Sequence, residues 1–280
     1  MTLLNGYTPC LAAPVHSVRA LILDWAGTTV DFGSLAPVRT LQKVFEEFGV
    51  IITEEEARQD MGLAKRDHIA SLLRSPRIAA EWTRLQGRAA GNDQVDELYG
   101  LFVPLQLQTI AEFSMPVPGV ADAVARARRR GVKIGSTTGY NRAILNVLLK
   151  ESARRGYRPD CSASPEDAGA GRPQPFMIFH LMRQLGVYPP AAIVKVGDTV
   201  ADIEEGLNAG VWSVGISGTG NMIGLSPADF DALTAHERVR RVAAARDQLA
   251  AAGAHYVIES LATIDMVLDD IELRLCQKSN

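Results

Sequence analysis

Three cysteines in 280 residues, Cys10, Cys161 and Cys276, are too few and too scattered for a disulfide framework or a zinc set. Such sparse usage fits a reducing cytosol, so the protein is expected to be cytoplasmic. An excess of charge of one sign is also lacking. The formal net charge is −3 and the pI about 6.0, which advertises neither a nucleic acid nor an anionic membrane as partner. The cluster Arg126, Arg128, Arg129 and Arg130 reads as a solvated helix C-terminus, where cations offset the helix dipole. No apolar run reaches the roughly 18 residues that span a membrane. Residues 1–17 lack a basic start and a long apolar stretch, and read as a loose tail rather than a signal peptide. There is no P-loop. Residues 215–224, GISGTGNMIG, lack the glycine spacing of a dinucleotide-binding turn and are expected to form an ordinary loop.

What is present is apolar and periodic. Hydrophobic residues make up 47% of the chain, enough for a large core in one large domain or two unequal ones. Short apolar runs recur at Ala20–Leu23, Val132–Gly135, Ile193–Val196, Val211–Ile216 and Tyr256–Ile258, each followed by a loop and a helical pattern. That alternation predicts an α/β fold whose parallel sheet is covered on both faces. Ligands in such sheets sit at the carboxyl ends of strands. Three of these ends carry polar residues: Asp24, the cluster Ser136-Thr137-Thr138, and Asp198.

Residues 34–113 read differently, with helical spacing and no strand. Leu35, Val38, Leu41, Phe45 and Phe48 share one face. Thr53 and Glu56 form a capping box that opens the next helix. Ile78, Trp82 and Leu85 mark another face, as do Val95, Leu98, Leu101 and Leu105, and Pro104 should kink or end that last helix. The expectation is a small helical unit inserted after the first strand, with PVPG at 116–119 returning the chain to the sheet.

The stretch LILDWAGTTVDFG, residues 21–33, displays Asp24 just past a buried strand. Asp24 is a nucleophile or a metal ligand, unless it merely caps the turn. A second acidic cluster, VGDTVADIEEG at 196–206, ends another strand on Asp198 and places Asp202 one helical turn further, on the same face. Carboxylates converging at strand ends suit a hard cation such as Mg²⁺. Arg172, between Gly171 and Pro173 and before a helix starting near Pro175, would be the fixed cation that phosphoryl chemistry needs. Thr138 adds a hydroxyl and a backbone N–H for phosphate oxygens.

Asp24 with Gly27-Thr28, then Thr138, Arg172, and Gly197-Asp198 with Asp202 resembles, in order and placement, the haloacid dehalogenase superfamily. The resemblance runs from about residue 18 to 270. It implies a Rossmann-like core (1–33 and 112–280) with an inserted α-helical cap (34–111), an aspartyl-phosphate on Asp24, and a required Mg²⁺ at Asp24, Ala26, Asp198 and Asp202. One position departs from the common pattern. Phosphatases of the superfamily carry a second acid two residues after the nucleophile, to protonate the leaving oxygen, and here that position is Ala26. Losing a general acid should cost roughly 10²–10⁴ in rate on an ordinary monoester.

The segment MGLAKRDHIASLL at 61–73 offers a way out. Lys65 stands at the mouth of a helix with His68 three residues on, which by itself reads as a solvated helix start. Together, however, DWAGTTVDFG, MGLAKRDHI, GSTTGYNR and GRPQPFM closely resemble the phosphonoacetaldehyde hydrolase family over nearly the whole chain. The resemblance implies that Lys65 forms a Schiff base with the substrate aldehyde, that Tyr140 lies near the phosphate pocket, that Met61 and Gly62 lie near the lysine, and that the protein is a homodimer. An imine accepts the electron pair of a breaking carbon–phosphorus bond, so no leaving oxygen needs a proton and the acid at position 26 becomes dispensable. A free lysine of pKa about 10.4 is neutral in only about one molecule in 2,500 at pH 7, so Lys65 should be desolvated or near another cation, with His68 relaying protons. Two other readings stand beside this one: a phosphatase or phosphomutase of the same superfamily, which predicts an acid at 26, and a silent binding protein, which has no need of Asp24, Arg172 and Asp198 together.

Overall fold

Every apolar run becomes a strand. The computed structural model describes residues 17–277; Cys10 and the tail expected over 1–17, save its last residue, lie outside the described residues. The strands are β1 (Ala20–Leu23), β2 (Lys133–Thr137), β3 (Cys161–Ala163), β4 (Ile193–Gly197), β5 (Trp212–Ile216) and β6 (Tyr256–Ile258). They form one parallel sheet in the order β3-β2-β1-β4-β5-β6. β1 is buried on both faces, as a central parallel strand must be. Its alternate residues serve two cores: Leu21 and Leu23 face one, Ala20 and Ile22 the other. β3 was not expected, because three residues at a sheet edge leave no periodic trace.

Of the six helices between β1 and β2, the first five fall in the segment read as helical: α1 (Leu35–Glu46), α2 (Glu54–Arg58), α3 (Lys65–Arg74), α4 (Pro76–Gln86) and α5 (Asn92–Thr109). The capping box opens α2 as expected, Thr53 Oγ1 accepting from Glu56 N at 3.1 Å and Glu56 Oε2 from Thr53 N at 2.8 Å. Two details differ from the sequence reading. Pro104 does not end α5, which runs five residues past it. Along the same helix Leu101 is exposed and Phe102 buried in its place, and Leu85 of α4 is also exposed. A straight 3.6-residue helix drifts away from any fixed i, i+3, i+4 choice, so the buried face moves by a residue over four turns.

The remaining helices are α6 (Val120–Arg129) before β2, α7 (Arg142–Arg154) between β2 and β3, α8 (Pro165–Ala168) and α9 (Phe176–Leu185) before β4, α10 (Val200–Asn208) before β5, α11 (Pro227–Asp231) and α12 (Ala235–Ala251) before β6, and α13 (Ile264–Gln277) after it. The arginine cluster at the end of α6 is not simply solvated. Arg126 pairs with Asp265, Arg128 with Asp160, and Arg130 with Asp269 and Glu272, fixing α6 against α13 and the β3 approach. No helix among the described residues is long and apolar enough to cross a membrane.

The strand order reverses direction between β1 and β4. At that switch point the loops leaving the two strands part to opposite sides and open a crevice at their carboxyl ends. Asp24 follows β1 and Asp198 follows β4, so both acids stand at the crevice.

Candidate active site

The β1–β4 register pairs Leu23 with Val196, which brings Asp24 beside Gly197 and Asp198. Asp24 N donates to Val196 O at 2.9 Å and holds that position. The chain then turns tightly, with Thr29 and Val30 donating to Trp25 O and Gly27 at φ +84°. A side chain at Gly27 or Gly220 would overlap Asp198, so both glycines are needed for close approach. Thr28 Oγ1 donates to Asp198 Oδ1 at 3.0 Å, and Asn221 N donates to Oδ2 at 2.6 Å. Asp202 sits in the first turn of α10, where Thr199 Oγ1 donates to its Oδ2 at 2.6 Å. One oxygen from each of Asp24, Asp198 and Asp202 lies within 4.8 Å of the others.

Three buried acids this close need cations. Desolvation pushes Asp24 above the usual carboxylate range, opposed by Arg172 and Lys195, and pushes Asp198 well above it, with Asp24 and Asp202 adding repulsion. Asp202, although desolvated, is held below that range by Arg172 and Lys195. Arg172 is saturated: Nη2 contacts Asp24 Oδ1 at 2.6 Å and Thr137 Oγ1 at 2.8 Å, Nη1 reaches Asp202 Oδ1 at 3.1 Å, and Nε donates to Glu205 Oε2 at 3.0 Å. Lys195, buried inside β4, reaches Asp202 Oδ1 at 2.8 Å, Thr137 Oγ1 at 2.8 Å and Glu205 Oε2 at 3.1 Å. Replacing Lys195 by methionine, which keeps the length but not the charge, should destabilise the fold by about 3–5 kcal/mol through the acids left behind. Denaturant unfolding checks this; an unchanged midpoint would mean Arg172 alone balances them.

The inserted helices close the crevice from above. Lys65 N donates to Gly139 O at 3.1 Å, and the Gly62 carbonyl lies 3.4 Å from Arg172 Nη1. Lys65 opens α3 but is only 5% exposed, so the solvated reading of this residue is wrong. Its Nζ lies 3.5 Å from Met61 Sδ and 5.5 Å from the centre of the Tyr140 ring. Burial pulls its pKa down to about 8; Asp24 opposes this and Arg172 reinforces it. His68 is wholly buried, and desolvation together with Lys65 holds it well below its ordinary pKa, hence neutral. Asp24, Ala26, Met61, Gly62, Lys65, Thr138, Tyr140 and Arg172 line a single cavity with about 20 Å³ of free space, room for one water. The Thr138 hydroxyl accepts from Tyr140 N at 3.1 Å and shapes that wall.

The residues fit a divalent cation. The donors are all oxygens, and burial disfavours the charged forms of Asp24 and Asp198, which a bound cation would stabilise. Ala26 could offer only its backbone carbonyl.

Residues 18–210 match the haloacid dehalogenase-like hydrolase family. Phosphonoacetaldehyde hydrolase of Paraburkholderia phytofirmans is 45% identical over 260 residues, covering 93% of this chain and 97% of that protein. The Bacillus cereus enzyme of the same name is 40% identical over 255 residues, covering 91% and 97%. The crystal structure of a phosphonoacetaldehyde hydrolase-like protein from Oleispira antarctica superposes with a TM-score of 0.92 at 39% identity, covering 99% of each chain. The chain belongs to the phosphonoacetaldehyde hydrolase family. As a family member it is a hydrolase of the haloacid dehalogenase type, with the six-stranded parallel core just described.

Of the candidate site residues, Asp24, Ala26, Met61, Gly62, Lys65, Thr138, Tyr140 and Arg172 line the cavity, whereas Asp198 and Asp202 meet Asp24 in the acid cluster and His68 is buried within the influence of Lys65. Reading the sequence missed four residues of the same site: Lys195, Glu205, Thr137 as a hydrogen-bond hub, and Asn221. Lys195 had a signal, since a lysine inside the run IVKVG is out of place in a buried strand. Asn221 had none. Of residues 215–224, the first two end β5 and the rest form a loop that joins the site, since the Asn221 N–H orients Asp198 and Thr219 Oγ1 donates to Gly27 O at 2.8 Å.

Proposed function

We propose that the protein cleaves the carbon–phosphorus bond of phosphonoacetaldehyde to acetaldehyde and phosphate, as a step in the breakdown of phosphonates such as 2-aminoethylphosphonate. The observation that carries this reading is a buried, partly neutral lysine facing the same small cavity as Asp24, with alanine where a phosphatase would need its acid. The Lys65 amine attacks the aldehyde carbon and loses water to form an imine. Asp24 attacks phosphorus. The carbon–phosphorus electron pair moves into the protonated imine, leaving an enamine on Lys65 and an aspartyl-phosphate on Asp24. The enamine takes a proton at carbon, and one water then releases acetaldehyde and another releases phosphate. The water lost first is returned, so one water is consumed per turnover.

A carboxylate approaching an anionic phosphonate is repelled by roughly 4 kcal/mol per charge pair at about 4 Å and a dielectric near 20. Arg172, already against Asp24, offsets part of that. Mg²⁺, held by Asp24, Asp198, Asp202 and the Ala26 carbonyl, would supply the rest of the positive charge. Thr138, Gly62 and Tyr140 bound the phosphonate end and Met61 packs the lysine in place; to His68, buried and neutral under the influence of Lys65, we assign the relay of the protons of imine formation and hydrolysis.

On this reading residues 34–111 are a cap over a core of 1–33 and 112–280, and the cap must swing aside to admit a substrate larger than the free space. The protein works in the cytosol as a homodimer. Val95 and Leu98 are buried within the chain, which leaves Leu101 and the half-buried Leu105 on α5 to contribute to that contact.

The test is phosphate release from phosphonoacetaldehyde with Mg²⁺, beside a simple phosphate monoester. Fast release from the phosphonate and little from the ester is expected. The reverse would make this a phosphatase with its acid supplied from elsewhere.

A further inference from the structure

Arg58 closes α2, and its guanidinium ties together three parts of the chain. Nη1 donates to Gly33 O at 3.0 Å and Ser34 O at 3.4 Å, on the segment by which the chain leaves the sheet for the inserted helices. The same nitrogen donates to Asn221 O at 3.2 Å and Asn221 Oδ1 at 3.1 Å, and Nη2 donates to Gly224 O at 3.2 Å. Asn221 answers with Nδ2 donating to Arg58 O at 3.2 Å. The Arg58 side chain is 13% exposed, so these bonds are largely shielded from water.

Both ends of this connection matter. The segment Asp31–Ser34 is where the chain turns, with φ of +52° at Asp31, +83° at Gly33 and +51° at Ser34. Left-handed backbone at non-glycine residues persists only where surrounding contacts enforce it. Gly33 N also donates to Thr219 O at 2.8 Å, so this segment and the loop lie against each other. At the other end, the loop carries the Asn221 N–H that holds Asp198 Oδ2 at 2.6 Å. Swinging the helices away would pull Arg58 out of the loop and remove its bonds to Asn221 and Gly224, the part of the loop that meets Asp198, while Thr219 still ties the loop to Gly27 and Gly33.

We infer that Arg58 is a positioning residue: a latch that couples closure of the inserted helices to the seating of the Asp198 carboxylate, so that divalent-cation binding and closure strengthen each other. This rests on the proposed cation at Asp24, Asp198 and Asp202. The coupling is reciprocal by linkage: whatever factor closure adds to cation affinity, the cation adds to closure.

The experiment compares the full chain with Arg58→Met, which keeps the aliphatic stem, and Arg58→Lys, which keeps the charge but not the planar fork. Two quantities are read without turnover: Mg²⁺ affinity by calorimetry, and the rate of limited proteolysis at the segments joining the inserted helices to the sheet. Arg58→Met should bind Mg²⁺ about tenfold more weakly, the scale on which partners that orient a metal ligand act, and should be cut faster; Arg58→Lys should lie between. Asn221→Ala removes the side-chain half of the pair while leaving the backbone N–H on Asp198, and should speed cleavage even if Arg58→Met does not fold. A folded Arg58→Met that matches the parent in both readouts overturns the latch. A parent that takes up no Mg²⁺ overturns the cation reading instead, and unchanged cleavage in both variants then overturns the latch separately.

Discussion

Replacing Lys65 by arginine should reduce phosphate release from phosphonoacetaldehyde by on the order of 10⁴ or more, the scale seen when a covalent catalyst is removed. Arginine keeps a cation in the cavity and a similar stem, but it cannot lose its proton and so cannot form an imine. The loss would therefore isolate nucleophilicity from charge. Lys65→Met, smaller and uncharged, guards against a crowding artefact, and both should keep near-parental unfolding midpoints. A Lys65→Arg variant with full activity would sink the imine proposal. The pH dependence carries the same argument. With a pKa near 8, about one Lys65 in eleven is neutral at pH 7, a gain of some two orders of magnitude over a free lysine. The protonated amine is inert, so kcat/KM should rise about tenfold per unit below pH 8 and level off above it. A profile flat from pH 6 to 9 would mean that imine formation is not limited by the Lys65 proton.

Burial is what separates the two readings of Lys65. In sequence it stands beside Arg66 and Asp67 at the start of a helix, where solvated charges are ordinary. Only the docking of α3 onto the β2 loop, through Lys65 N and Gly139 O, shows that this side chain points inward while Arg66 reaches out to Asp96. The sheet was legible because buried strands must be apolar and active carboxylates must follow them, so Asp24 and Asp198 announce themselves. Asp202 was legible through helical spacing. The counter-charges were harder, because a pairing such as Lys195 with Glu205 is set by the third dimension and leaves no fixed spacing. Arg58 and Asn221 lie 163 residues apart, and nothing in either neighbourhood of sequence points to the other. Motifs thus display the reacting groups, while the groups that hold them in place are scattered and emerge only from packing.

Asp24→Asn tests the other half of the chemistry, and it should lower turnover by about 10⁴–10⁶. Asparagine is nearly isosteric, can still accept from Arg172, and removes the negative oxygen that attacks phosphorus. What it leaves intact is the lysine. Lys65 and Asp24 act on different atoms of the substrate, so the imine should still form in the variant and stop there, with no electron sink discharged. Borohydride added with phosphonoacetaldehyde should then reduce that imine and fix the whole substrate, phosphonate included, on Lys65, as read by peptide mass. In the parent the same treatment should trap mainly the two-carbon fragment, because cleavage outruns reduction. Full phosphonate mass on Lys65 in Asp24→Asn, with no phosphate released, would order the steps: imine first, phosphorus second. An Asp24→Asn variant within tenfold of the parent would mean that the nucleophile is another group, and that Asp24 serves only to hold the cation.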